Sequence, residues 1–261
     1  NKKIEIKFNF AELMERVQRV INTVAPHDSI ERYAALGVDC IQGDGRLTSP
    51  WSVEVNDKNL TARNIIIAAG ASPFIPPVPG IEDVGYYTSD TIWDIRKLPN
   101  RLIVLGGGPI GSELTQCFAR LGSQVTLIEM LPRILFREDP EISQLVKSKF
   151  EKERINVLTG HKAKNFRREG ERKFLVCATQ DQTVEFEFDE LLVAVGRKAN
   201  IKNYGLNEIG VKLTKSGNIE VNDYLQSSVP SIFACGDIAG PYQFTHTAAH
   251  QAWYASVNAL F

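Results

Sequence analysis

The sequence has few cysteines, almost no net charge and no long uninterrupted apolar run. Its 4 cysteines lie far apart and form no C-x-x-C pair, which favours reduced, mostly buried thiols and a cytoplasmic protein. Residues 64–81 carry no charge, but their four prolines and two glycines exclude a membrane-spanning helix there. A net charge of −1 favours neither a nucleic-acid nor a membrane partner.

The stretch 101–129 has the order strand, glycine-rich turn, helix, strand and acidic residue. The apolar run Leu102–Leu105 predicts a buried parallel strand, and Val125–Ile128 predicts the next one, closed by Glu129. Pro109 suits the first turn of the helix between them, because its missing N–H costs nothing there. The turn itself has the pattern G-x-G-x-x-G, formed by Gly106, Gly108 and Gly111.

This combination predicts a dinucleotide site. The first glycine permits the tight turn, the second lets the backbone approach a pyrophosphate, and the third lets helix and strand pack closely. The N–H groups at the helix start then face the phosphates. The Glu129 carboxylate can accept both hydroxyls of an adenosine ribose and would repel a 2′-phosphate, so NAD is favoured over NADP. Arg133, four residues on, keeps NADP open, and an ordinary glycine-rich turn is the alternative interpretation.

Hydrophobic periodicity predicts the remaining elements of an α/β fold. Helices are expected at 10–21, 28–36, 140–152 and 245–261, the last one cut off by the chain end. Asn9 and Glu12 form a capping pattern at the first helix. The proline-rich stretch 71–80 predicts a stiff connector between domains. Strands are expected at 38–41, 52–55, 60–62, 64–69, 155–158, 174–178, 184–188, 191–195 and 231–234.

Six short motifs spread along the chain carry a family resemblance. They are IIIAAGASPFIPPVPG (65–80), VLGGGPIGSEL (104–114), VTLIE (125–129), REDPEI (137–142), VAVGRKAN (193–200) and IFACGD (232–237). Together they resemble the class I pyridine nucleotide–disulfide oxidoreductases, which include dihydrolipoamide dehydrogenase, glutathione reductase and mercuric reductase. The segments GGGPIGSEL and FREDPEI are most similar to the mercuric reductase-like branch.

The resemblance implies two Rossmann-like three-layer domains. Residues 81–199 would be an NAD(P)-binding domain, inserted in an incomplete, discontinuous FAD-binding domain formed by residues 1–80 and 200–261. The family's first flavin-binding glycine turn, its redox cysteine pair and its C-terminal domain with a proton-transfer histidine have no counterpart in this sequence. A central fragment without substrate-reducing catalytic residues is therefore expected.

The resemblance also assigns residues to the two cofactors. To NAD(H) it assigns Gly106, Gly108, Pro109, Ile110, Gly111, Glu129 and Gly196. To FAD it assigns Ala69, Gly70, Glu113, Arg197, Asp237, Phe244, Thr245 and His246. Asp237 would bind a ribityl hydroxyl, and the helix that begins near Thr245 would point its positive end at the flavin. Glu113 would pair with a lysine of the missing redox segment.

Plain structural roles stand beside several of these assignments. Glu129 could be a solvated strand end, Glu113 an acid that stabilises a helix start, and Asp237 an ordinary turn residue. His246 and His250 have a spacing that can bind a metal, but the stretch H-T-A-A-H lacks the glutamate of a metalloprotease motif and offers no third ligand. No metal site is predicted.

The implied activity belongs to the intact protein, which is expected to be a homodimer. It would be an FAD-dependent NAD(P)H oxidoreductase that passes hydride from NADH through flavin to a disulfide, a dithiol or a metal ion. Its cofactors and substrate are small molecules. A non-catalytic NAD-binding fragment is the alternative, and association through an exposed interior is a third interpretation.

Overall fold

The computed structural model describes residues 8–261, and the α/β class predicted from the sequence is confirmed. Within these residues the helices are α1 (Phe10–Val24), α2 (Ile30–Ala35), α3 (Ile81–Val84), α4 (Pro109–Arg120), α5 (Pro140–Lys152) and α6 (Thr245–Leu260). The strands are β1 (Arg46–Ser49), β2 (Ser52–Val55), β3 (Lys58–Thr61), β4 (Ile65–Ile67), β5 (Ala71–Pro73), β6 (Arg101–Leu105), β7 (Gln124–Glu129), β8 (Asn156–Thr159), β9 (Lys162–Glu169), β10 (Arg172–Ala178), β11 (Thr183–Phe188), β12 (Glu190–Val193), β13 (Arg197–Ala199) and β14 (Ile232–Ala234).

The chain divides into two units. Unit 1 contains residues 8–27 and 73–196 of the described chain, and unit 2 contains residues 28–72 and 197–261. The predicted division placed residues 1–80 together, of which 1–7 lie outside the described part. Helix α1 belongs instead to unit 1, because Phe10 and Met14 are buried in its core and the Phe10 ring lies 6.2 Å from that of Phe118.

A four-stranded parallel sheet with the order β12-β6-β7-β8 forms the centre of unit 1. Helix α4 connects β6 to β7, and α5 connects β7 to β8. In the register of the sheet, Leu105 lies opposite Ile128 and Val193, and Glu129 lies opposite Thr159. The carboxyl ends of all four strands therefore meet at one edge, which is where α/β sheets bind ligands.

Both faces of this sheet are covered, which gives unit 1 three layers. Leu102, Val104 and Leu127 pack on the helical side with Phe118 and Phe150. On the other side, a core cluster joins the sheet to the antiparallel sheet β11-β10-β9, with Ile103, Ile128, Phe166, Leu175 and Phe188 among its buried members. Strand β9 was not predicted from the sequence, because it is polar and only Phe166 in it is fully buried.

Unit 2 is built from smaller pieces. Strands β1, β2 and β3 form an antiparallel sheet, β4 and β14 form a parallel pair, and β5 pairs with β13. The core cluster of unit 2 includes Leu47, Ile67, Ile219, Ile232 and Ile238. The β2–β3 hairpin turns through Asn56 and Asp57, both with positive φ, so its loop is tighter than the predicted four residues.

Two expectations from the sequence are wrong. Residues 38–41 form no strand in the described structure, because none of its strands pairs with this segment. Val38 and Ile41 are exposed. The thiols are not mostly buried either, since Cys40 and Cys117 are exposed while Cys177 and Cys235 are buried. None of the helices in residues 8–261 combines the length and the apolar character that crossing a membrane requires.

Candidate functional site

The glycine-rich turn lies at the carboxyl edge of the parallel sheet in unit 1. Gly106 has a φ of +108°, and a side chain there would collide with the carbonyl oxygen of Ala194. A side chain on Gly111 would collide with the carbonyl oxygen of Gly106, so close helix–strand packing requires this glycine. Gly108 differs from both, because a Cβ there would meet nothing within 4 Å. The fold needs two of the three glycines, whereas the open space at Gly108 is what a ligand would use.

Helix α4 begins at Pro109 directly behind this open space. In the described chain no side chain caps its start, and its first turn carries no acidic residue. The N–H groups of the first turn and the positive end of the helix dipole are therefore available to an anion. Pro109 is exposed and Ile110 is half-buried, so this end of α4 is accessible.

The Glu129 carboxylate ends strand β7 beside the same turn. Its Oε2 accepts a hydrogen bond from the Gly107 N–H at 2.7 Å, and its Oε1 accepts one from the Leu131 N–H at 2.8 Å. Two carboxylate oxygens offer about four acceptor positions, so further donors such as ribose hydroxyls can still be accommodated. The sequence analysis placed Glu129 at this edge but did not foresee that the carboxylate binds the glycine-rich turn.

Further residues that support this turn were missed by the sequence analysis. The Gly107 carbonyl accepts hydrogen bonds from the Leu135 N–H at 2.7 Å and from Ser112 Oγ at 3.2 Å. A Cβ on Gly107 would lie 2.8 Å from Cγ2 of the buried Ile134, so the middle glycine of G-G-G is also required by packing. Ser143 Oγ donates to the Ile134 carbonyl at 2.6 Å. The extra glycine was the only sequence signal of this close approach.

The loop that contains Gly196 reaches the same edge of the sheet. Ala194 N–H donates to the Leu105 carbonyl at 2.8 Å, which continues the pairing of β12 with β6. Gly196 has a φ of +120°, and a Cβ on it would meet nothing within 4 Å. The structure therefore brings together all seven residues that the sequence assigned to NAD(H).

The residues assigned to FAD do not all lie in one unit. Glu113 is exposed on α4 in unit 1, and the other seven belong to unit 2. In unit 2, Asp237 follows β14 in a single helical turn, and its Oδ2 lies 3.5 Å from Nε of Arg197. Asn200 holds Ala69 and Gly70, the second and third residues after β4, because its N–H donates to the Gly70 carbonyl and its Nδ2 to the Ala69 carbonyl.

Gln251 on α6 connects this helix to the Asp237 turn and was not identified from the sequence. Its Oε1 accepts a hydrogen bond from the buried Gly236 N–H at 2.7 Å, and its Nε2 donates to the Gly240 carbonyl at 3.3 Å. Asn218 Nδ2 donates to the Asp237 carbonyl at 2.9 Å. The backbone of the Asp237 turn is thus held from two sides.

The start of α6 is exposed and resembles that of α4. Among the described residues no side chain caps it, and its first turn has no acid. The Phe244 and His246 rings stack in nearly parallel planes with centroids 5.4 Å apart, and Thr245 is exposed beside them. Residues 8–261 contain no group of three or more side chains that could hold a metal ion. Burial raises the pKa of the Cys235 thiol, which disfavours the thiolate that redox chemistry requires.

Comparisons with known proteins find relatives of similar sequence and a solved structure of similar fold. Mercuric reductase of Staphylococcus aureus is 33% identical over 252 residues, which are 97% of this chain and 46% of that protein. Dihydrolipoyl dehydrogenase of Thermus scotoductus is 36% identical over 231 residues, which are 85% of this chain and 49% of that protein. The solved structure of the HOCl-induced flavoprotein disulfide reductase RclA from Escherichia coli matches with a TM-score of 0.86 at 25% identity, over 97% of this chain and 57% of that one.

The chain spans about half the length of the curated relatives that it matches. A family model described as pyridine nucleotide-disulphide oxidoreductase matches residues 9–252, which is nearly the whole chain. On this evidence, the chain belongs to the pyridine nucleotide-disulphide oxidoreductase family.

Proposed function

We propose that unit 1 binds NAD(H) at the carboxyl edge of its parallel sheet. The observation that carries the proposal is the uncapped start of α4 beside the open space at Gly108, with the Glu129 carboxylate on the next strand. The helix end and the turn N–H groups would hold the pyrophosphate, and Glu129 would accept the ribose hydroxyls. NADH is favoured over NADPH, because a 2′-phosphate would approach the negative charge of Glu129.

We propose that unit 2 supplies part of an FAD site in the intact protein. Asp237 and the exposed start of α6 support this, because they offer a carboxylate acceptor on a held turn and a positive helix end. In the described residues of unit 2, the glycine turn after β14 leads into the single helical turn Gly236–Ile238 and not directly into a long helix that could take the pyrophosphate of FAD. This observation favours the rival proposal that the chain alone binds only NAD.

The intact protein is proposed to be an oxidoreductase, since relatives carry the names mercuric reductase and dihydrolipoyl dehydrogenase. When bound, NADH supplies a hydride and FAD carries the electrons towards an acceptor. The acceptor is proposed to be a disulfide or a metal ion, and a dithiol would be the electron donor in the reverse reaction. Residues of this chain bind and orient the cofactors, and no substrate-reducing role is assigned to them. The homodimer and the cytoplasmic location stay predictions.

The test is a visible spectrum of the purified chain after FAD is added and unbound flavin removed, and again after NADH. A retained flavin band that bleaches with NADH supports both sites. No retained flavin, with NADH binding that is lost in Glu129→Ala and kept in Glu141→Ala, supports the NAD-only rival. Glu141 is a suitable control because it is an exposed acid on α5 of the same unit. Absence of NADH binding would overturn the proposal.

A further inference from the structure

The Arg133 side chain is turned onto its own loop. Its Nη2 donates to the Phe136 carbonyl at 2.9 Å and to the Glu138 carbonyl at 3.3 Å. The guanidinium carbon lies 4.8 Å from the centroid of the Phe136 ring, a cation–π distance. Its Nε is buried and has no hydrogen-bond partner within the described structure. The guanidinium is thus engaged by residues of its own loop.

This loop, residues 131–138, contacts the glycine-rich turn at several points, and we call it the brace. Leu135 N–H donates to the Gly107 carbonyl, and Leu131 N–H donates to the Glu129 carboxylate. Ile134 is buried against Gly107, and its own carbonyl accepts the Ser143 hydroxyl. The conformation of the brace therefore determines how the Gly107 peptide group is held.

We infer that Arg133 is a positioning residue for the dinucleotide site and is not a ligand for the 2′-phosphate of NADP. The inference rests on the proposal that this site takes a nicotinamide dinucleotide. Arg133 stabilises the brace by donating hydrogen bonds to the carbonyls of Phe136 and Glu138. The brace in turn holds the glycine-rich turn, because the Leu135 N–H donates to the Gly107 carbonyl. NADH and NADPH share the pyrophosphate that this turn faces, so loss of Arg133 weakens both to the same extent. A phosphate ligand would instead affect NADPH alone, because only NADPH carries the 2′-phosphate.

The experiment compares NADH and NADPH binding to the parent protein, Arg133→Met, Arg133→Lys and the control Arg137→Met. Arg137 is exposed on the same loop, so its substitution removes the same charge. Arg133→Met is expected to weaken both nucleotides by about fivefold, the scale of one lost hydrogen bond, with their ratio unchanged. Arg133→Lys recovers part of the affinity, because an ammonium group can donate to the carbonyls but cannot stack flat on Phe136. Arg137→Met leaves both affinities unchanged.

Hydrogen exchange of the nucleotide-free protein gives a second readout. The Leu135 amide, which donates to Gly107, is expected to exchange faster in Arg133→Met, while amides of β6 keep their protection. Loss of NADPH affinity alone would overturn the inference, as would unchanged binding of both nucleotides. If the parent binds NADH alone, weaker NADH binding in Arg133→Met supports the inference and unchanged binding overturns it. If the parent binds neither nucleotide, the proposed function fails, and exchange at Leu135 decides the role of Arg133 separately.

Discussion

The two units carry similar motifs on very different supports. In each, a glycine-containing turn follows a parallel strand, and an uncapped helix start is exposed nearby. In unit 1 the strand belongs to a four-stranded sheet that is packed on both faces. In unit 2 the corresponding strand, β14, has a single parallel partner, and α6 fully buries only Ala255. A glycine turn is held more rigidly when the strand before it lies inside a continuous sheet, because strands on both sides then hold the end of that strand.

Helix α6, which buries so little, leaves several large apolar side chains exposed. Trp253, Tyr254 and Leu260 are all exposed, although an apolar helix of this kind is usually covered by other parts of a protein. In unit 1 the largest apolar side chains of the central strands are buried. Truncating a large apolar side chain is therefore expected to lower the unfolding free energy more in unit 1 than on α6 of unit 2.

The largest predicted effect contrasts Phe188→Ala in unit 1 with Trp253→Ala in unit 2. Phe188 is 1% exposed and packs edge-on against Phe166 at 6.2 Å, so its truncation should cost about 3–5 kcal/mol of unfolding free energy. Trp253 is 66% exposed, and its truncation should cost less than about 0.5 kcal/mol. Urea unfolding of each variant, monitored by hydrogen exchange, measures both losses of unfolding free energy. An equal loss in the two variants would mean that α6 is covered in solution.

Within unit 1, Gly111→Ala should lower the stability of the fold, whereas Gly108→Ala should lower only the affinity for NADH. Alanine at 111 collides with the Gly106 carbonyl, so we expect a loss of about 1–3 kcal/mol in stability. Gly108 has an ordinary φ of −71° and open space, so alanine there should leave stability unchanged. Its methyl group should nevertheless lower NADH affinity by about tenfold, because it stands where a pyrophosphate would approach. Thermal unfolding and an NADH titration of both variants test this, and unchanged binding in Gly108→Ala would contradict it.

In unit 2, Gln251→Ala should loosen the Asp237 turn. The variant leaves the buried Gly236 N–H without its acceptor, which should cost about 1 kcal/mol and speed exchange of that amide. Gln251→Glu is the matched control, because its carboxylate still accepts from Gly236 although it cannot donate to Gly240. Equal exchange rates at Gly236 in the two variants would show that the hydrogen bond does not hold the turn.

The smallest predicted effect is a difference in acid stability. Hydrogen bonds from Arg172 and Arg101 lower the pKa of Glu187 in unit 1 from 4.5 to about 2. A lowered folded-state pKa stabilises the protein above the unfolded pKa, and this contribution is lost as the pH falls from about 4.5 to about 2. Glu187→Gln should therefore be less stable at neutral pH, with the difference vanishing near pH 2. Acid titrations monitored by circular dichroism measure this.

The control for this pH effect is Glu208→Gln in unit 2. Glu208 pairs with Arg46, and both side chains are about 60% exposed, so water screens their attraction. This variant should behave like the parent across the whole range. If Glu208→Gln changes the pH dependence of stability as much as Glu187→Gln does, the greater exposure of the Glu208–Arg46 pair does not weaken its contribution.

Local patterns in the sequence were enough to predict much of the fold. Helix α1 begins directly after Asn9, whose side chain forms a hydrogen bond with that of Glu12, as the capping pattern indicates. Helix α4 begins at Pro109, as predicted. These features depend on neighbours within a few residues, so a single stretch of sequence contains the cause. The strand wrongly expected at 38–41 shows the limit of this reasoning. Its apolar residues suited a strand, but a strand exists only where another backbone pairs with it.

Local sequence is enough to predict the order of strand, glycine turn, helix, strand and acid, because a tight turn or an open helix end is a property of the local backbone. What that order supports depends on contacts between residues that are distant in the sequence. The tertiary structure joined Glu129 to Gly107, brought the brace into contact with the glycine-rich turn, and stacked the Arg133 guanidinium over the Phe136 ring. It also connected Gln251 to Gly236 across 15 residues. Such contacts depend on how the elements pack, and packing follows from the shape and burial of side chains along the whole chain.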